Sequence, residues 1–304
     1  MSRPPFLTLP PCARAYRLAT ERGEFAVHDT GDGGAAGPGA RPVALLLPGF
    51  TGSKEDFIGL LEPLDAAGFR VVAVDGRGQF ESGGPRAEAA YAQEELARDV
   101  RALAAALGAG AGGRPVHLLG HSLGGLVARA AVLLGPEPFA SLTVLSSGPG
   151  AVSASQQHRV ELLLGALSSM GMAQVWEAMR ALDQSPGAAG QAPYSEAEAA
   201  GTPAEVEEFL RRRWLSTVPE QLVATGRQLR EEPDRVTELA GLALPFHVVS
   251  GAEDDAWPVP QLDAMARRLG ARRTVVPGTG HSPNAERPGE TARALAGFWR
   301  TVSG

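Results

Sequence analysis

A chain of 304 residues, 44% hydrophobic and 20% charged, has the material for a substantial core. At this length an α/β chain often forms one domain with an insertion rather than two domains. Its 28 basic and 34 acidic residues leave a net charge of −6, so no basic surplus exists to neutralise phosphates and a nucleic-acid role is excluded. Lys54 is the only lysine, which, with the abundance of Ala, Gly, Pro and Arg, reflects a GC-rich genome and not a binding surface. The single cysteine, Cys12, rules out an intrachain disulfide and reads as a structural thiol. Residues 1–11 lack the apolar stretch of a signal peptide, and no run approaches the ~18 apolar residues of a membrane span. A soluble, cytoplasmic protein without a membrane partner is expected.

Taken in order, Ala15 to Thr20 and Phe25 to Thr30 alternate as two strands of a hairpin. Residues 31–39 read as a Gly/Ala/Pro loop. Val43 to Leu47 is apolar without alternation, as in a strand buried on both faces of a parallel sheet. It leads through Pro48-Gly49-Phe50-Thr51-Gly52-Ser53 to a helix predicted over Lys54 to Ala67. A second buried strand, Arg70 to Asp75, precedes the loop 76–83 and a helix over Tyr91 to Leu107. The next strand starts at Val116, passes through Gly120-His121-Ser122-Leu123-Gly124 and turns into a helical pattern. Leu142 to Ser147 is a further strand. Such alternation of buried strands and helices belongs to a parallel sheet covered on both faces.

From 150 to 239 the rhythm changes. No strand-like run appears, and helices are predicted over Gln156 to Met170, Gln174 to Leu182, Pro203 to Leu215 and Pro219 to Arg230. Bulky residues gather here, among them Met170, Met172, Trp176, Met179, Tyr194 and Trp214. Helix–helix packing accounts for most of them, and the remainder are expected to line a pocket. We read 150–239 as a helical cap inserted in a core of 1–149 and 240–304. The sheet resumes at Pro245 to Gly251, followed by a helix over Val259 to Leu269, a strand over Arg273 to Val276, the loop 277–283 and a last helix over Glu290 to Val302.

A strand reversing sharply into a helix lifts its apical residue clear of the backbone, and the small residues Gly120 and Gly124 permit the close approach that this turn requires. Ser122 is therefore the candidate nucleophile, and a serine hydroxyl needs a base and a group that orients the base. Reactive residues of an open α/β sheet gather at the carboxyl ends of its strands. His28, His117 and His247 lie within strands, His158 lies in the cap, and His121 adjoins the nucleophile. His281, in the loop after the last strand, remains as the base. The acid follows a late strand too, with Asp254 favoured over its neighbour Asp255 and Glu253 solvated. Between Gly148 and Gln157 no acid occurs. Asp75 precedes the nucleophile and reads as a loop-orienting carboxylate. Oxyanion donors are expected from the amides of Leu123, at a helix start, and Phe50, after an early strand.

Four motifs in this order resemble those of the α/β-hydrolase superfamily, over about residues 16–299. They are the 48–53 loop with its Gly-Phe turn, Asp75-Gly76-Arg77-Gly78, Gly251-Ala252-Glu253-Asp254 with Pro258, and Gly280-His281-Ser282 with Glu286-Arg287-Pro288. The resemblance implies an eight-stranded, mostly parallel sheet with a helical cap, and a catalytic triad in the order Ser122, Asp254, His281. It implies acyl transfer on an ester, lactone or thioester, with no cofactor and no metal, on a small-molecule acyl substrate, by a monomer or homodimer. Gln79-Phe80 departs from the family's usual His-Gly and sets a ring near the site. Phe80, Trp176, Trp214 and Trp257 are the aromatic residues expected around the substrate. Serine at 122 argues against epoxide hydrolase and dehalogenase chemistry, which use aspartate there. Alternatives on the same fold are a cofactor-free perhydrolase resembling non-haem haloperoxidases, a C–C bond hydrolase, and a non-catalytic ligand-binding protein.

Overall fold

The computed structural model describes residues 2–31, 41–109, 113–183 and 203–303. The glycine-rich loop from residue 32 onward and Tyr194 lie outside these residues.

Eight strands form one sheet: β1 (Arg14–Thr20), β2 (Gly23–Asp29), β3 (Val43–Leu47), β4 (Arg70–Val74), β5 (Val116–His121), β6 (Phe139–Leu145), β7 (Phe246–Gly251) and β8 (Arg272–Val276), in the spatial order 1-2-4-3-5-6-7-8. The first two pair antiparallel as a hairpin, β2 pairs antiparallel with β4, and every later pairing is parallel. The order reverses at β3, whose neighbours are β4 on one side and β5 on the other. That is the topological switch point, outside whose carboxyl ends a crevice opens.

The largely apolar runs of β3, β4 and β5 have the reason expected of them, since side chains of both alternations are buried. On one face, Leu45, Val72 and Leu118 pack with α2 (Gln93–Ala106), α3 (Leu123–Leu133), α8 (Val236–Ala240) and α9 (Val259–Leu269). On the other, Leu46, Val71 and Leu119 pack with α1 (Ile58–Ala66) and α11 (Pro288–Ser303). Fully burying each such Leu or Val contributes about 1.5–3 kcal/mol.

Boundaries depart from the sequence reading where a local conformation intervenes. The predicted helix from Lys54 begins as a 3-10 turn, Lys54–Phe57, in which the Asp56 carboxylate accepts the Ser53 amide at 3.2 Å. The sixth strand stops at Leu145 because Ser146 adopts φ 48°, a left-handed conformation incompatible with a strand. The short helices α8 and α10 (Pro283–Glu286) were absent from the sequence reading because one turn carries no periodicity.

Between β6 and β7 lie α4 (Ala154–Ser169), α5 (Met172–Asp183), α6 (Ala204–Ser216), α7 (Pro219–Glu231) and α8, and the described residues of that segment contain no strand. Two buried ion pairs moor it. Arg129 of α3 donates to the carbonyls of Gly148 and Pro149, where the chain leaves the sheet, and to Glu232, where it returns. Arg213 of α6 pairs with Asp56 at 2.8 Å, both side chains buried. No described helix is long and apolar enough to cross a membrane.

Candidate active site

Ser122 joins β5 to α3 with φ 54° and ψ −120°, a conformation that costs a non-glycine residue about 1–3 kcal/mol. The glycines around it are dictated by contact. A Cβ on Gly120 would lie 2.2 Å from the Gly124 carbonyl oxygen, and one on Gly124 would lie 2.5 Å from that of Leu47. Gly124 thus lets the helix start ride against the end of β3 and brings the 48–53 loop to the serine. A Cβ at Gly49 would meet that of Ser122 at 3.3 Å.

Over this elbow stands His281, whose Nε2 is 3.0 Å from Ser122 Oγ and whose Nδ1 is 3.0 Å from Asp254 Oδ1. Asp254 is completely buried at its side chain, and its Oδ1 also accepts the amides of Ala256 and Trp257. Burial penalises both charges, yet each partner's charge and hydrogen bond outweigh it. His281 lies above, and Asp254 below, its ordinary pKa. Asp255, the neighbouring carboxylate, turns to the cap instead. Its oxygen accepts Gln156 Nε2 at 2.7 Å and lies 3.7 Å from Arg159. Glu253 is exposed.

The loop bearing His281 is gripped from three directions that sequence reasoning missed. Glu286 accepts the amides of Gly280 at 2.7 Å and Ser282 at 2.9 Å, one on each side of the histidine. Beneath it, His121 Nε2 lies 2.9 Å from the His281 carbonyl oxygen. Burial lowers the pKa of His121 to about 3, so its ring is neutral and Nε2 must carry the proton it donates to that carbonyl. Behind, a Cβ on Gly251 would lie 2.0 Å from the Gly280 carbonyl, so β7 can touch the loop only through glycine. Glu286 belongs to the histidine-loop motif and grips it locally, four and six residues back, whereas nothing in the sequence pattern marked His121, which reaches a backbone 160 residues away.

The 48–53 loop closes as a turn, with the Gly52 amide donating to the Gly49 carbonyl at 3.1 Å. Its continuation is anchored by Asp75, which accepts the Lys54 amide at 2.7 Å and Lys54 Nζ at 3.0 Å. Neither the Phe50 nor the Leu123 amide donates to any protein acceptor among the described residues. Two free N–H groups beside a serine are what a developing oxyanion requires.

A cavity of about 350 Å³ opens over Ser122 and His281. Its apolar wall is Phe50, Val152, Val160, Leu229 and Ala256, and Gln156, Arg159 and Asp255 stand among its polar residues. The four aromatic residues expected around the substrate do not line it, which corrects the sequence reading. Trp176 and Trp214 pack with Val206, Phe209 and Leu210 inside the cap, and Trp214 Nε1 donates to the Met172 carbonyl. Phe80 joins the same cluster and covers Lys54, whose Nζ is 4.8 Å from its ring centre. Trp257 is fully buried, with Nε1 donating to the Gly150 carbonyl. The Trp214 and Trp257 indoles settle where their N–H groups find the Met172 and Gly150 carbonyls, away from the cavity. Cys12, off the site, has its pKa raised by burial, as suits a structural thiol.

No cluster of potential metal ligands occurs among the described residues.

Comparison with known proteins bears on the family and the fold. A model of the alpha/beta hydrolase family matches residues 44–294. A Variovorax paradoxus protein bearing a carbamate hydrolase name is 41% identical over 121 residues, which are 39% of this chain and 43% of that protein. The match therefore spans less than half the length of this curated relative. Among solved structures, a thermophilic esterase from Thermogutta terrifontis superposes with a TM-score of 0.73 at 26% identity, covering 95% of this chain and 99% of the esterase. An enol-lactonase from Burkholderia xenovorans LB400 shares the fold with a TM-score of 0.72 at 20% identity, over 94% of this chain and all of that one.

Proposed function

This chain belongs to the alpha/beta hydrolase family, and from that membership we propose that it is a serine hydrolase cleaving an ester, lactone or thioester through an acyl-enzyme on Ser122. The observation that carries the reading is the continuous line from Asp254 through His281 to Ser122, two bonds of 3.0 Å, beside two unpaired amides.

His281 Nε2 takes the hydroxyl proton as Ser122 Oγ attacks the substrate carbonyl carbon. Asp254 holds the proton on Nδ1 and stabilises the imidazolium that forms. The carbonyl oxygen, now negative, is received by the Phe50 and Leu123 amides, each worth about 3 kcal/mol in such a site. As the tetrahedral carbon collapses, His281 gives its proton to the leaving oxygen or sulfur. Water then repeats the sequence on the acyl-enzyme and frees the acid.

The cavity volume and its wall of Phe50, Val152, Val160 and Leu229 favour a small to medium, uncharged acyl group. The esterase and carbamate hydrolase names carried by similar proteins fit the same attack on a carbonyl bearing a heteroatom leaving group. A fluorophosphonate probe tests the chemistry. Labelling of the wild type that disappears in Ser122→Ala, together with turnover of p-nitrophenyl esters, is the expected result. Undiminished ester hydrolysis by Ser122→Ala would remove the proposal.

A further inference from the structure

Gln79 lies in the loop after β4, and its side chain is buried between that loop and the 48–53 turn. Its Nε2 donates to the Gly49 carbonyl oxygen at 2.8 Å and reaches that of Phe50 at 3.5 Å, while its Oε1 accepts the Gly76 amide at 3.1 Å. A Cβ at position 76 would lie 2.6 Å from that Oε1, so glycine there makes the room. The loop is itself tied down from above. The Gly78 carbonyl accepts the Val218 amide at 2.8 Å, at the junction of α6 and α7.

The Gly49 carbonyl and the Phe50 N–H are the two ends of one planar peptide group. A donor that holds the oxygen therefore sets the direction of the N–H, and it also polarises the amide so that the N–H becomes a stronger donor. The Gly52 amide binds the same oxygen, but it belongs to the same turn and cannot orient that turn against the sheet. Gln79 comes from a neighbouring strand's loop and can. An amide side chain carries a donor and an acceptor on separate atoms of one tip, which this position uses for the Gly49 carbonyl and the Gly76 amide together.

We propose that Gln79 is a positioning residue for the oxyanion hole, holding the Gly49 carbonyl so that the Phe50 N–H is aimed at the oxygen that becomes negative when Ser122 attacks. The inference rests on the hydrolase reading above. It predicts a loss confined to the transition state, because substrate in the ground state gains little from the aim of one amide.

The test compares wild type with Gln79→Glu and Gln79→Met. Glutamate keeps the shape and the acceptor for Gly76 but has no N–H for Gly49, and methionine keeps the shape alone. Hydrolysis of p-nitrophenyl butyrate is measured alongside inhibition by a trifluoromethyl ketone, whose adduct on Ser122 places an oxyanion in the hole. Both variants are expected to lose roughly 10- to 100-fold in kcat, less than the ~100- to 1,000-fold of deleting a donor outright. KM should stay within about twofold, and ketone affinity should fall in parallel with kcat. A kcat within about threefold of wild type in both variants overturns the proposal, as does a loss carried by KM with ketone affinity unchanged. Wild type that neither cleaves the ester nor reacts with a fluorophosphonate would remove the hydrolase reading and this inference with it. Active, labelled wild type with indifferent variants removes this inference alone.

Discussion

The loops at the carboxyl ends of the strands and the helices that cover them are held by different means. Around Ser122 and His281, backbone groups do most of the fastening. Glu286 grips two amides, His121 one carbonyl and Gln79 another, and glycines at 120, 124 and 251 let main chains touch. The helices between β6 and β7 are held chiefly by side chains, with the Ala151, Val152 and Val218 amides donating to the Glu232, Leu229 and Gly78 carbonyls at their base. A cluster of aromatic and aliphatic residues joins α5, α6 and α7, two buried ion pairs moor the segment, and α4 buries only Val160 of its sixteen residues. Main chains that touch through glycine leave no room for a Cβ, whereas side-chain packing tolerates volume-conserving change. In the proposed reading the chemistry falls to the loops held through main-chain atoms and the choice of substrate to the helices held mainly by packing.

The largest effect that would break this division is at the nucleophile. Ser122→Ala should cost about 10,000-fold or more in kcat with the fold intact, read by steady-state ester hydrolysis beside a thermal melt. Next comes Asp254→Asn, for which a loss near 10,000-fold is expected from the wrong imidazole tautomer. Its pH profile carries a second reading. His281 acts as a base only when neutral, and Asp254 raises its pKa. The acidic limb of kcat/KM should therefore lie above the ordinary histidine value in wild type and move to lower pH in the variant. Asp255→Asn should leave kcat within about threefold, and the reverse pattern between the two aspartates would exchange their roles.

The mooring of the cap is tested by Arg129→Met. It strands Glu232 as an unpaired buried charge and leaves two carbonyls without a donor, so a destabilisation of about 3–5 kcal/mol is expected in urea denaturation. Smaller still is the effect of the cavity wall. Val160→Phe should narrow the acyl pocket and shift the ratio of kcat/KM between butyrate and longer esters by about 1–3 kcal/mol. Trp176→Phe, inside the cap cluster, should leave that ratio unchanged, and a shift equal to that of Val160→Phe would return Trp176 to the pocket.

How much of this was legible beforehand follows the same division. The sheet was readable because β3 is apolar throughout and β4 after Arg70, with Leu118 and Leu119 at the centre of β5, as expected of strands covered on both faces. The convergence of Ser122, Asp254 and His281 was readable because each follows a strand, where an open sheet gathers its reactive groups. Between Asp254 and Asp255 no local signal chooses strictly. Contact does, since Asp254 meets His281 and Asp255 meets Gln156. The aromatic residues misled for a related reason. Trp176, Trp214, Trp257 and Phe80 are large enough to line a pocket or to fill a core, and composition cannot say which.

What the sequence determined by itself is what local periodicity and turn geometry encode: the alternation of strands and helices, the elbow at Ser122, and the order of the three loops that converge on it. Only the tertiary structure decided which neighbours steady those loops and which residues face the substrate. Gln79 and His121 act through backbone atoms 30 and 160 residues away along the chain, and the cavity wall is drawn from the 48–53 loop, α4, α7 and the acid loop together. Such proximity has no trace in a one-dimensional pattern, because it comes into being only when the sheet brings the loops together and the cap closes over them.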